Sequence, residues 1–162
     1  MTKKHTRTVE LTKVALVAAL YVAFTLINPL SFGAVQFRFS EMFNNLSVFN
    51  KRYIWAVTIG CAIANLSSPL GMIDVIFGTL GTLVMTTLSY FATRKIESVP
   101  VKLLICVVIC TLMSWSVALE LHYVSAVPFW ATYLSVGLGE FVSMVFGAIV
   151  IYFLNKATDL TA

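Results

Sequence analysis

Six ionisable residues stand apart in this chain: Arg38, Glu41, Asp74, Glu120, His122 and Glu140. Each lies within or beside a long apolar run, where charge is costly unless it meets a partner or a wet cavity. Glu140 is the most isolated, lying roughly ten residues into the last run, on the order of 15 Å along a helix. A carboxylate can accept two parallel N–H donors, as it does from a guanidinium. Around the charges stand the amides Asn44, Asn45 and Asn65 and the aromatics Phe39, Trp115, Tyr123, Trp130 and Tyr133. Aromatic faces stack on planar rings and cations. The set therefore suits a flat ligand rich in hydrogen-bond donors, held in a polar pocket.

Each residue also has a plainer reading. Arg38 and Glu41, at i and i+3, could simply pair with each other. Asp74 stands where a helix begins and could be a cap favoured by the helix dipole. Glu120 and His122 could be solvated interfacial residues, and Glu140 could pair with Arg38 for structure alone. Trp and Tyr commonly form belts at membrane interfaces. Cys61, Cys106 and Cys110 lie within apolar runs with no His or carboxylate close in sequence, so they read as packing residues, not as metal ligands. The chain carries neither a G-x-x-x-x-G-K-[ST] phosphate loop nor H-E-x-x-H, and no nucleophile–base pair stands out. Catalytic residues, a metal and a cofactor are accordingly not expected.

The elements that must position these groups follow from composition. Apolar residues make up 59% and charged ones 11%, against about 45–50% and about 25% in soluble domains. A soluble fold of 162 residues could not hide so much apolar surface. At roughly 20 residues per span there is room for about six helices. The expectation is an all-α bundle of six transmembrane helices forming one membrane domain over residues 1–162. The helices are expected at about 11–28, 36–49, 52–66, 73–93, 103–121 and 130–155, the second being short, mixed in polarity and the least span-like. The basic start followed by an apolar run resembles a signal peptide, but no small-x-small pattern follows, so it is read as a retained helix.

Charge sorts by side. With the N-terminus cytoplasmic, Lys3, Lys4, Arg7, Lys13, Lys51, Arg52, Arg94, Lys95, Lys102 and Lys156 all fall on the cytoplasmic side. Arg38 alone of the Lys/Arg class does not. This predicts an N-in, C-in orientation and explains the net charge of +4 without nucleic acid. Ala15, Ala19 and Ala23 repeat every fourth residue on one face, a spacing that lets another helix approach closely. Gly60/Ala64 and Gly139/Ser143/Gly147 share that spacing, so internal packing and an external partner both remain open.

The run 35–46 (VQFRFSEMFNNL) resembles the Q-F-R-x-S-E signature of the QueT family, as do 59–65 (IGCAIAN) and 71–82 (GMIDVIFGTLGT). The likeness extends loosely from the first helix to Gly139-Glu140. It implies a substrate-binding S component of an energy-coupling factor (ECF) transporter in the bacterial cell membrane, with a queuosine precursor as cargo. It further implies two kinds of partner, a transmembrane coupling subunit (T component) and two cytoplasmic ATPase subunits. Ala15, Ala19 and Ala23 match the family's docking patch for the coupling subunit. For a 7-deazaguanine, Glu41, Asp74 and Glu140 could read the ring and an aminomethyl group, with Asn65 and Gln36 on the remaining edge, Arg38 among the charges, and Trp130 and Tyr133 beside the ring. The same groups suit an aminopyrimidine such as hydroxymethylpyrimidine, or pyridoxine. The competing class is a stand-alone secondary carrier or channel using Glu140 and Asp74 as a proton or cation path, although no inverted repeat is evident. An intramembrane enzyme ranks last.

Overall fold

The computed structural model describes residues 3–32 and 36–161; the middle of the expected loop after the first helix, with Val35 of the signature run, lies outside them. The elements are α1 (Lys3–Ile27), a 3₁₀ segment (Phe39–Val48), α2 (Lys51–Asn65), α3 (Met72–Thr93), α4 (Val99–Met113), α5 (Trp115–Ser125) and α6 (Phe129–Ala157). The chain is thus all-α, with no strand among the described residues. Among the described residues, four stretches are long and apolar enough to cross a bilayer: Thr8–Ile27, Met72–Thr93, Val99–Ser125 and Phe129–Ala157.

The interior combines an apolar core, with Tyr21, Val57 and Met144 fully buried, and many buried polar side chains, while large apolar residues cover the outside. Along α3, Thr82, Thr86, Ser89 and Thr93 are buried while Leu80, Val84, Leu88 and Phe91 are exposed. The buried hydroxyls do not need outside partners: Thr86 Oγ1 donates to the Thr82 carbonyl at 2.6 Å, Ser89 Oγ to Met85 at 2.7 Å and Thr93 Oγ1 to Ser89 at 2.7 Å. Polar side chains satisfied by their own helix can face inward, leaving the leucines for lipid.

The expected second helix at 36–49 is corrected by the structure. Its residues form a ten-residue 3₁₀ segment in which Ser40 through Val48 are all buried, and it packs against α1, α2, α3, α4 and α6. The physical reason is its composition: Glu41, Asn44 and Asn45 leave no face that hydrocarbon would tolerate, so protein must enclose it. At about 2 Å rise per residue it also reaches only about 20 Å, short of a hydrocarbon core of about 30 Å. Of six expected spans, then, this one is an internal core element, and α2 with 15 residues is likewise below membrane length by itself.

Two glycines on α6 receive the segment. A Cβ at Gly147 would stand 2.6 Å from the Met42 Cα, and one at Gly139 would collide with the Gln36 carbonyl. Asn45 Nδ2 then donates to the Met144 carbonyl at 3.1 Å, tying the segment to α6. Gly60 plays the same part between α2 and α1, where a Cβ would lie 2.8 Å from that of Tyr21. The small residues of α2 and α6 are therefore packing residues. Ala15, Ala19 and Ala23 differ: all three are exposed on the outer face of α1. Packing within this chain does not account for them.

The fifth expected helix, 103–121, is longer and broken. Ser114 separates α4 from α5, and its Oγ donates to the Thr111 carbonyl at 2.7 Å while Ser116 Oγ donates to Met113 at 3.0 Å. Hydroxyls that compete for the helix's own carbonyls bend it at this point. α1 starts earlier than expected, and it ends as expected before Pro29, where Asn28 Oδ1 accepts from the Leu30 amide at 3.0 Å.

Candidate functional site

Within the bundle the 3₁₀ segment, α3, α4, α5 and α6 enclose a cavity of about 40 Å³. Gln36, Arg38, Glu41 and Glu140 line one part of it, and Gly78 and Gly81 leave room on the α3 side. Four of the sequence-predicted site residues are thus brought together across about a hundred positions of chain.

The charges are held by different means. Arg38 is buried, and its Nη2 lies 3.5 Å from Asp74 Oδ2, itself buried in the first turn of α3. Its Nε donates to the Ser31 carbonyl at 2.7 Å, the same oxygen that accepts from Gln36 Nε2 at 2.9 Å. Asp74 is therefore more than a cap: it neutralises Arg38. The simple Arg38–Glu41 pair is not formed; Glu41 instead accepts from Tyr21 Oη at 2.7 Å and from Asn44 Nδ2 at 2.5 Å. Asn65 does not line the cavity. It donates from Nδ2 to the Asp74 backbone carbonyl at 3.0 Å and so fixes the start of α3.

Glu140 is the exception. Its Oε1 is buried with no hydrogen-bond partner, although the side chain borders the cavity. The structural pairing with Arg38 is not made, since the ion pair of Arg38 is with Asp74. A buried carboxylate oxygen without a donor costs free energy. Glu120 resembles it: it is 2% exposed and both carboxylate oxygens lack partners, which corrects the reading of Glu120 as a solvated interfacial residue. The turn of α5 preceding it supplies Ser116 and Val117 to the cavity. His122, by contrast, meets the Val127 carbonyl at 2.6 Å on the exposed side and stays outside the site.

Trp130 and Tyr133 are also outside. Trp130 is 72% exposed on the face of α6 it shares with Leu134 and Leu138, whereas Thr132 and Val136 point inward. Tyr133 Oη donates to the Leu112 carbonyl at 3.3 Å and its ring lies parallel to that of Phe129. The helical period explains Trp130, which lies well off the inward line of 132, 136 and 140; Tyr133, seven residues before Glu140, flanks that line but is turned away to Leu112. Sequence reasoning in turn missed Tyr21, which orients Glu41, and Met85, Cys110 and Met113, which line the cavity. All three cysteines are buried in the core as expected, and Cys110 also reaches the cavity.

A helical bundle with lipid-facing leucines outside and an enclosed set of charges inside defines a polytopic membrane protein with an internal polar site. The chain belongs to the QueT transporter family: the model of that family, described as QueT transporter, matches residues 11–156. It is 37% identical over 171 residues to the queuosine precursor transporter QueT of Lactococcus lactis subsp. cremoris (strain MG1363), covering 98% of this chain and 99% of that protein. No solved structure matches it.

Proposed function

We propose that this chain captures a queuosine precursor, a planar 7-deazaguanine, and serves as the S component of an ECF importer. The observation that carries this reading is the unpartnered Glu140 oxygen beside an enclosed, charged cavity in a chain of the QueT transporter family. A deazaguanine presents a ring N–H and an exocyclic amine side by side, the donor pair a free carboxylate accepts. In this reading Glu140 takes that pair, Arg38 and Asp74 hold the wall in place, and Glu41, which also lines the cavity, is the second carboxylate that a ligand ammonium would meet. The basic connections face the cytoplasm, with both termini inside, and the cargo enters from the opposite side of the bacterial cell membrane. ATP hydrolysis in two cytoplasmic ATPase subunits, passed on by the coupling subunit, drives release inward.

The test is co-purification of the chain with and without candidate coupling and ATPase subunits, followed by mass spectrometry of the retained small molecules. A retained deazaguanine and ATPase-dependent uptake are expected. Uptake that persists with every ATPase partner removed would overturn the S-component assignment in favour of a stand-alone carrier, and retained pyridoxine or hydroxymethylpyrimidine would overturn the cargo.

The exposed Ala15, Ala19 and Ala23 support a docking role on α1. Small side chains let a partner helix approach closely, and a bulky one holds it off. Ala19→Leu is therefore expected to leave ligand binding unchanged and to abolish recovery of the complex on affinity purification. Recovery of intact complex from that variant would assign the stripe to lipid.

A further inference from the structure

The cavity has a second lining unlike the charged one. α3 and α4 contribute Met85, Cys110 and Met113, and no aromatic side chain is among the described lining residues. A flat guest therefore has no ring to stack upon. The polarisable surface it does meet is sulfur, and sulfur contacts with aromatic rings are favourable at about 5 Å.

The volume sharpens the point. About 40 Å³ accommodates on the order of three waters, whereas small-molecule sites begin near roughly 300 Å³. Some lining group must move for any heterocycle to enter. Arg38 is held by Ser31 and Asp74, Glu41 by Tyr21 and Asn44, and Gln36 by Ser31. The two glycines have no side chain to move, and Val117 and Val136 are short and branched. Of the long, unbranched side chains left, Glu140 is the charge that reads the guest, and Met85 and Met113 are the apolar ones; methionine adapts its shape through three rotatable bonds.

We infer that Met85 and Met113 form the yielding wall of the site: they swing aside to admit a planar heterocycle, then lie with Cys110 against its face. This rests on the reading of the cargo as planar, but not on which heterocycle it is. Selectivity then divides between two surfaces, with the carboxylates reading the edge of the guest and the sulfurs setting the thickness and flatness of the slot.

The test uses the intact chain carrying methyl-labelled methionine, which gives at most six signals for its six methionines. 7-Aminomethyl-7-deazaguanine, hydroxymethylpyrimidine and pyridoxine are each titrated in. The bound heterocycle is expected to move the Met85 and Met113 methyl signals upfield through its ring current, while exposed Met72 stays unmoved. Met85→Ile and Met113→Ile, similar in volume but stiff, are each expected to weaken binding at least about tenfold, whereas Met72→Ile leaves it unchanged. A heterocycle that binds without shifting either methyl signal overturns the inference, as do folded isoleucine variants of full affinity. Should pyridoxine alone bind and shift both signals, the deazaguanine assignment falls and the yielding wall stands. If none of the three binds, both are overturned.

Discussion

Glu140→Gln is expected to weaken ligand binding by at least about a hundredfold, the loss that follows when one side of a buried, charge-assisted contact is removed. The same variant is expected to insert normally and to unfold at a temperature equal to or above that of the natural protein. The two effects share one cause. Without ligand, Glu140 Oε1 is buried with no donor, so the carboxylate is a cost to the empty protein. Glutamine keeps the shape, removes the charge, and brings an amide that is a donor where the ligand also presents donors. Stability withheld from the fold and recovered on binding is the usual trade at a functional site. Isothermal titration with 7-aminomethyl-7-deazaguanine, beside a thermal unfolding curve in detergent, checks both halves. Unchanged affinity would remove Glu140 from the site.

How far the sequence reached depended on whether a feature was local. The apolar runs behind α1, α3 and α6 declare themselves by length and composition alone. So did the oddity of Arg38, Glu41, Asp74 and Glu140, because a charge in an apolar run is costly wherever it later packs. The fate of residues 39–48 was not local. Their composition demands enclosure, but what encloses them is remote in sequence: Gly147, about a hundred residues away, leaves the room that Met42 occupies. Partner choice was hidden for the same reason: Arg38 had Glu41 one turn away, yet the fold gives it Asp74 and gives Glu41 to Tyr21 and Asn44. Aromatics misled in the opposite direction. Trp130 and Tyr133 drew notice by type, but the inward line of α6 runs through 132, 136 and 140; register excludes Trp130, whereas Tyr133, seven residues before Glu140, flanks that line and is turned to the Leu112 carbonyl by packing alone. Methionines at 85 and 113 carry no type signal in an apolar helix, so only the enclosed cavity shows them.

Asp74→Ala is expected to destabilise the protein by about 3 kcal/mol, near the lower end for breaking a buried ion pair from one side. The pair is held at 3.5 Å with both side chains buried, so removing the carboxylate leaves the Arg38 guanidinium without its counter-charge. The lower end applies because Arg38 keeps its bond to the Ser31 carbonyl, its position over the Phe32 ring at 5.3 Å, and Glu41 and Glu140 as fellow lining residues. Replacing both partners by apolar residues of similar size, Arg38→Met with Asp74→Leu, is expected to restore most of that stability, since the desolvation cost disappears with the pair. Binding should respond differently. The double variant loses the guanidinium that binds the Ser31 carbonyl beside Gln36, so affinity stays at least about tenfold down even with the fold restored. Thermal unfolding of the two variants, set beside their ligand affinities, separates the roles. If the double variant regains binding along with stability, the pair serves the fold alone. If it regains stability only, Arg38 and Asp74 belong to the site.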